Sequence, residues 1–195
     1  MSTPAERGMA AGWNVKLVMV DDVVEADLLT DNLKTMKSRS VRDDDIFLCT
    51  YPKADIDVHV ISAIAAPQGT HWTWEILNMI VAGKAEYAKH WQNSTWLEYR
   101  TEEELDELAS PRIFHTHLRP RQMPMLLWKR GCKVVYVERN IKDCAVSSYS
   151  QVSQQVWKED PRREVTFIGS WDDYLTAYRD GCGSYVFILR IVAQN

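Results

Sequence analysis

Only four cysteines occur in the 195 residues, Cys49, Cys132, Cys144 and Cys182, and no two form a C-x-x-C pair. That excludes a disulfide framework and a zinc ribbon, and it fits a reducing, cytoplasmic compartment. Long apolar runs are missing too. The longest, Val58–Ala66, falls far short of the ~20 residues of a membrane-spanning helix, and the first 12 residues hold no apolar stretch of the kind a secretory signal needs. Glycine and proline are sparse, at eight and seven, which rules out collagen-like and linker-type composition. Net charge is small: 23 Lys+Arg against 27 Asp+Glu leave −4, which argues against a wholesale nucleic-acid binder. What remains is a globular composition, 46% hydrophobic and 26% charged, long enough for residues 1–195 to form a single domain with a sizeable core.

The small net charge conceals an asymmetry. Residues 1–110 carry 10 basic and 19 acidic side chains, whereas residues 111–195 carry 13 and 8. Between Pro111 and Lys142 eight cations (Arg112, Arg119, Arg121, Lys129, Arg130, Lys133, Arg139, Lys142) face Glu138 alone. Such a stretch is either a solvated face or a site for an anionic ligand.

The pattern of apolar residues predicts alternating strands and helices. After a loose start, Val24, Leu28, Leu29 and Leu33 give Asp21–Met36 helical spacing. Arg42–Asp45 reads as a polar turn before a buried strand, Ile46–Thr50, that ends at Tyr51-Pro52. A helix opens at Gly69, with Trp72, Ile76, Leu77 and Ile80 on one side and Gly83 as its stop. Thr101–Glu104 is a capping box. Arg112–Thr116 is a second strand candidate, Pro124–Lys129 a short helix, and Lys133–Val137 the clearest buried strand. Helices are expected over Ile141–Val152 and Phe167–Arg179, then a strand at Tyr185–Leu189. Strand-helix alternation of this kind indicates an α/β fold with a mainly parallel sheet.

Ligands of such folds sit beyond the carboxyl ends of the strands. The residues found there are Thr50-Tyr51-Pro52-Lys53, the helix start Gly69-Thr70-His71-Trp72, His115-Thr116-His117, and Arg139-Asn140 with Ser147 further on. Lysine, arginine and a Gly-Thr helix start favour phosphate-like charge, and a histidine among them supplies an acid/base group. His115-x-His117 is also half of a metal-binding pattern, though without nearby cysteine or carboxylate ligands.

These segments resemble the cytosolic sulfotransferases, which transfer a sulfuryl group from 3′-phosphoadenosine-5′-phosphosulfate (PAPS) to a hydroxyl or amine. The family motifs T-Y-P-K-S-G-T-T-W, K-T-H-L-P and Y-V-x-R-N-x-K-D-x-x-V-S correspond in order to Thr50–Lys53 with Gly69–Trp72, His115–Leu118 and Tyr136–Ser147. The resemblance implies a P-loop NTPase-like sulfotransferase fold with PAPS as donor and no metal. The expected partner is a small hydroxylated or amine acceptor, without nucleic acid or membrane. It implies that His117 is the general base and that Lys53 stabilises charge on the leaving group. Gly69, Thr70 and His71 would offer amides to the 5′-phosphate, Trp72 would stack on adenine, and Arg139 and Ser147 would bind the 3′-phosphate. His71 replaces the motif's second threonine, His115 its lysine and Arg119 its proline.

Two larger departures accompany these. Lys53 and Gly69 stand 16 positions apart where the motif spaces them by two, leaving 14 extra residues within Ala54–Gln68. The chain also ends at Asn195, before the family's basic 3′-phosphate segment and its dimerisation segment, so the domain is expected to be C-terminally incomplete and monomeric. Three readings stay open: an active sulfotransferase, a catalytically inactive nucleotide-binding protein, and a nonfunctional splice or gene-model fragment of the family.

Overall fold

The computed structural model describes residues 2–13, 16–50, 69–90, 92–154 and 167–181. Its elements in chain order are α1 (Pro4–Ala11), β1 (Leu17–Val20), β2 (Val23–Ala26), α2 (Thr30–Met36), β3 (Ile46–Thr50), α3 (Gly69–Ala82), α4 (Glu102–Asp106), β4 (Ile113–Thr116), α5 (Met125–Arg130), β5 (Lys133–Val137), α6 (Ile141–Gln154) and α7 (Trp171–Arg179). They gather into two units, Met1–Asp31 with Asn140–Asn195, and Asn32–Arg139. The strand expected at Tyr185–Leu189 lies outside the described residues.

In the first unit, the start expected to be loose is helical. The Thr3 hydroxyl accepts the Glu6 amide at 3.2 Å and the Glu6 carboxylate accepts the Thr3 amide at 2.7 Å. Pro4 follows at a position where its missing N–H costs nothing. The helix expected from Asp21 begins only at Thr30. Upstream of it, β1 and β2 pair antiparallel, Leu17 opposite Ala26, through a two-residue turn with Asp21 at φ 50° and Asp22 at φ 61°. Left-handed conformation at both turn residues matches the twist of the strands, and the β-branched pair Val23-Val24 suits a pleated surface. Trp13, Phe167, Tyr149, Trp171 and Tyr178 surround Tyr174 or one another at centroid distances of 5.2–6.2 Å. The buried Tyr174 hydroxyl donates to Ser148 Oγ at 2.7 Å, and burial pushes its pKa up to about 12.

The second unit holds a parallel sheet in the order β4-β3-β5, with Ile46 opposite both Ile113 and Lys133. Central β3 is buried throughout. Helix α3 sets Trp74 against Ile46, Leu48 and Ile113, and burying each such side chain stabilises the fold by about 1.5–3 kcal/mol. Of the four residues placed on one side of α3, Leu77 packs against the core whereas Trp72, Ile76 and Ile80 are exposed, and Thr70, Trp74 and Glu75 are the buried ones. β5 also departs from the expectation of a buried strand. It edges the described sheet, and Val134 and Tyr136 are 42% and 58% exposed, because one of its faces has no cover among the described residues of this unit.

The basic stretch is partly consumed by structure. Arg112 is buried, donating from Nε and Nη2 to the two Asp45 carboxylate oxygens at 2.8 and 2.6 Å and from Nη1 to Asp106 at 2.7 Å. Arg130 pairs with Asp43 at 2.7 Å. Asp45 and Arg112 immediately precede β3 and β4, so this pair clamps the starts of the two strands whose far ends carry the candidate site.

Candidate functional site

The register of β3 with β4 puts Cys49 opposite Thr116 and so brings Thr50 beside His117. His117 Nδ1 lies 3.0 Å from the Thr50 carbonyl oxygen and 3.1 Å from its hydroxyl. A carbonyl only accepts, so a bond to it takes a proton on Nδ1 and, in the neutral ring, leaves the lone pair on Nε2, whereas the Thr50 hydroxyl can serve either tautomer. The His117 backbone amide donates to Glu98 Oε1 at 2.6 Å. Glu98 is 2% exposed; burial pushes its carboxyl above the usual range, although the His117 ring and amide pull it partly back.

Glu98 is held by the segment that runs beside β4. Leu97 N–H donates to the His115 carbonyl at 2.9 Å. The buried Arg39 donates to the Leu97 carbonyl at 2.8 Å and to Asn32 Oδ1 at 3.1 Å.

His115, which stands where the motif has lysine, is enclosed. It is 3% exposed, and neither ring nitrogen has a hydrogen-bond partner. Its ring stands 5.0 Å from Trp96 and 4.7 Å, edge to face, from His117. Burial first, then the neighbouring His117 and His71, hold its pKa well below 6.5, so it is neutral at physiological pH. His71, in the first turn of α3, sets Nδ1 3.0 Å from Gln92 Oε1 and stacks on Trp74 at 6.4 Å. Thr70, beside it, is fully buried with its hydroxyl unpartnered.

His117, His115, Thr70 and His71 thus share one unit, where α3 packs on β3 and β4. Gly69 opens α3, and Trp72 is 48% exposed on it. Arg139 is exposed just beyond β5, and Ser147 is half-buried on α6 in the other unit. Lys53, with Tyr51, Pro52 and the extra residues Ala54–Gln68, lies outside the described residues. Among the described residues, no three His, Cys, Asp or Glu side chains are grouped so as to hold a metal ion, and no helix is long and apolar enough to cross a membrane.

Sequence reasoning missed Glu98, Gln92, Trp96 and Arg39. They lie on irregular segments or far along the chain, and only the tertiary fold carries them to the strand ends. The apolar pair Trp96-Leu97 ahead of Glu98 is the one signal available; the chain meets β4 at the single Trp96–His115 bridge and then turns.

The sulfotransferase domain model matches residues 43–187. Human sulfotransferase 1C2 is 29% identical over 180 residues, covering 87% of this chain and 54% of that protein. Human sulfotransferase 1E1 is 36% identical over 129 residues, covering 61% and 38%. The chain spans about half the length of the relatives it matches. Among solved structures, a mouse sulfotransferase complexed with PAP gives a TM-score of 0.64 at 24% identity, covering 87% of this chain and 53% of that one. Retinol dehydratase in complex with androsterone and inactive cofactor PAP gives 0.66 at 13% identity, covering 100% and 63%. At those identities the likeness is one of fold.

Proposed function

The chain belongs to the sulfotransferase domain family, and from that premise we propose that it moves a sulfuryl group from PAPS to a hydroxyl or amine of a small acceptor, with His117 as general base. The observation that carries this reading is the approach of His117 Nδ1 to the Thr50 carbonyl at 3.0 Å, which favours the neutral tautomer with its basic lone pair on Nε2. A base so placed contributes about 10²–10⁴ in rate. Glu98, bonded to the His117 amide, fixes the backbone from which the imidazole projects.

PAPS, when bound, supplies an electrophilic sulfur and a nucleotide leaving group. The chain's own residues fit its phosphate: the Thr70 hydroxyl is buried and lacks a partner, at the start of a 14-residue helix whose first amides have no partner within the helix. Gly69, Thr70 and His71 hold the 5′-phosphate in this reading, and the exposed Trp72 indole stacks on adenine. Lys53 is assigned charge stabilisation on the leaving group, and Arg139 and Ser147 the 3′-phosphate; these roles rest on the motif alone, and each is tested by its own substitution. The reaction is assigned to the cytoplasm, in keeping with the free thiols of Cys49, Cys132 and Cys144.

A second reading, nucleotide binding without turnover, is favoured by one observation. The buried, neutral His115 occupies the place of the motif's lysine. The two are separated by incubating purified protein with PAPS and a panel of phenolic and alcoholic acceptors. Transfer that His117→Ala lowers by about 10²–10⁴ supports the enzyme. No transfer by folded protein overturns it, and a thermal shift with 3′-phosphoadenosine-5′-phosphate then leaves the binding-only reading.

A further inference from the structure

We propose that His115 takes up a proton together with an oxyanion ligand, so that this site binds sulfate- or phosphate-type groups as a proton-linked pair. The inference rests on the nucleotide reading above and deepens it by naming how the site acquires positive charge.

The argument begins with unmet hydrogen bonds. A neutral imidazole offers one N–H donor and one lone pair, and the His115 ring, 3% exposed, satisfies neither. An oxyanion carries only acceptors. Two His115 nitrogens can therefore both be satisfied by such a ligand only as the imidazolium, in which both are donors.

Further unmet donors lie in the same unit. The Nε1 groups of Trp96 and Trp74, the Gln92 Nε2 amide and the Thr70 hydroxyl are also buried without partners, and all can donate. Ring and side-chain contacts join these groups in two sets, Trp96 with His115 and His117, and Gln92 with His71 and Trp74, and His71 lies near enough to oppose protonation of His115. The exception is Glu98 Oε2, an acceptor without a partner.

The charged and titratable groups facing His115 do not supply the missing counter-charge. His117, beyond β4, and His71, on α3, both oppose its protonation. Glu98, on the segment beside β4, directs Oε1 to the His117 amide. Before a ligand arrives, a proton on His115 is uncompensated and buried, so it stays in solvent. An anion reverses that balance, and the proton enters from the buffer with it.

Isothermal calorimetry in buffers of differing ionisation enthalpy tests this, with PAPS in the absence of acceptor as the main probe and inorganic sulfate as the second. At pH 7.5 uptake of about one proton per ligand is expected, with affinity weakening about tenfold per pH unit on raising the pH further. His115→Lys, already charged, should bind without uptake, and His115→Asn should bind more weakly and also without uptake. The wild-type buffer comparison stands by itself if either variant fails to fold. PAPS binding with no buffer-dependent heat overturns the inference and leaves the nucleotide reading intact. Proton-linked sulfate binding without PAPS binding does the opposite, and the absence of binding by both probes overturns both.

Discussion

Replacing Asp45 with alanine removes three hydrogen bonds at once: two from the Arg112 guanidinium at 2.6 and 2.8 Å, and one from the Arg42 backbone amide at 2.7 Å. The side chains of Asp45 and Arg112 are 0% and 1% exposed, so water cannot take over. Breaking a buried ion pair from one side costs about 3–5 kcal/mol. Asp106 remains 2.7 Å from Arg112 Nη1, with half its side chain in solvent, so the charge keeps one partner and the lower end applies, about 3 kcal/mol. Burial alone would lower the Arg112 pKa, but Asp45 and Asp106 outweigh it and hold it above the ordinary arginine value, as expected of a guanidinium stabilised by its pair. With a urea dependence of about 2 kcal/mol per molar, the unfolding midpoint should fall by about 1.5 M. Tryptophan fluorescence reads it. The double replacement Asp45→Leu with Arg112→Met should lose less than Asp45→Ala, because exchanging a whole buried pair for apolar groups is often near neutral. A midpoint shift below about 0.5 M for Asp45→Ala would refute the reasoning, showing that the clamp at the start of β3 and β4 carries little of the stability.

Glu98→Gln keeps an acceptor for the His117 amide but removes an ionisable group whose folded pKa is raised. The native state then holds that proton more tightly than the unfolded chain, whose glutamate titrates near 4.5, so wild-type stability falls as pH rises from there through the folded value. Urea midpoints across that window should show a flatter slope in the variant, and an unchanged slope would contradict the assignment. Burial pushes the Cys49 thiol up to about 12, so at pH 8 it stays protonated. Alkylation followed by peptide mass mapping should find it unmodified in native protein and modified in urea. At Gly12, φ is +128° and an added Cβ would clash with the Ile168 carbonyl oxygen. Gly12→Ala should therefore cost more than about 1 kcal/mol, seen as a lower melting temperature.

The sequence by itself determined the parallel α/β character, because Ile46–Thr50, Ile113–Thr116 and Lys133–Val137 are short runs rich in β-branched and aromatic residues and are separated by helical periodicity. Local chemistry also set the capping box at Thr101 and the stop at Gly83, since those signals act within a few residues. It likewise placed His117 just beyond a strand and Thr70 in the first turn of a helix. Signals that depend on a distant partner were illegible. Val23-Val24 became a strand because Leu17–Val20 lay beside it, and Arg112 became a structural clamp because Asp45, 67 residues away, is buried against it. Which face of α3 turns inward was decided by the packing of Trp74 on the sheet. The state of the site was decided in the same way. A histidine in sequence is acid, base or ligand alike; the Thr50 carbonyl favours one His117 tautomer, and enclosure without partners favours the neutral form of His115. Composition and spacing are properties of the chain, whereas solvation and hydrogen-bond geometry exist only once it has folded.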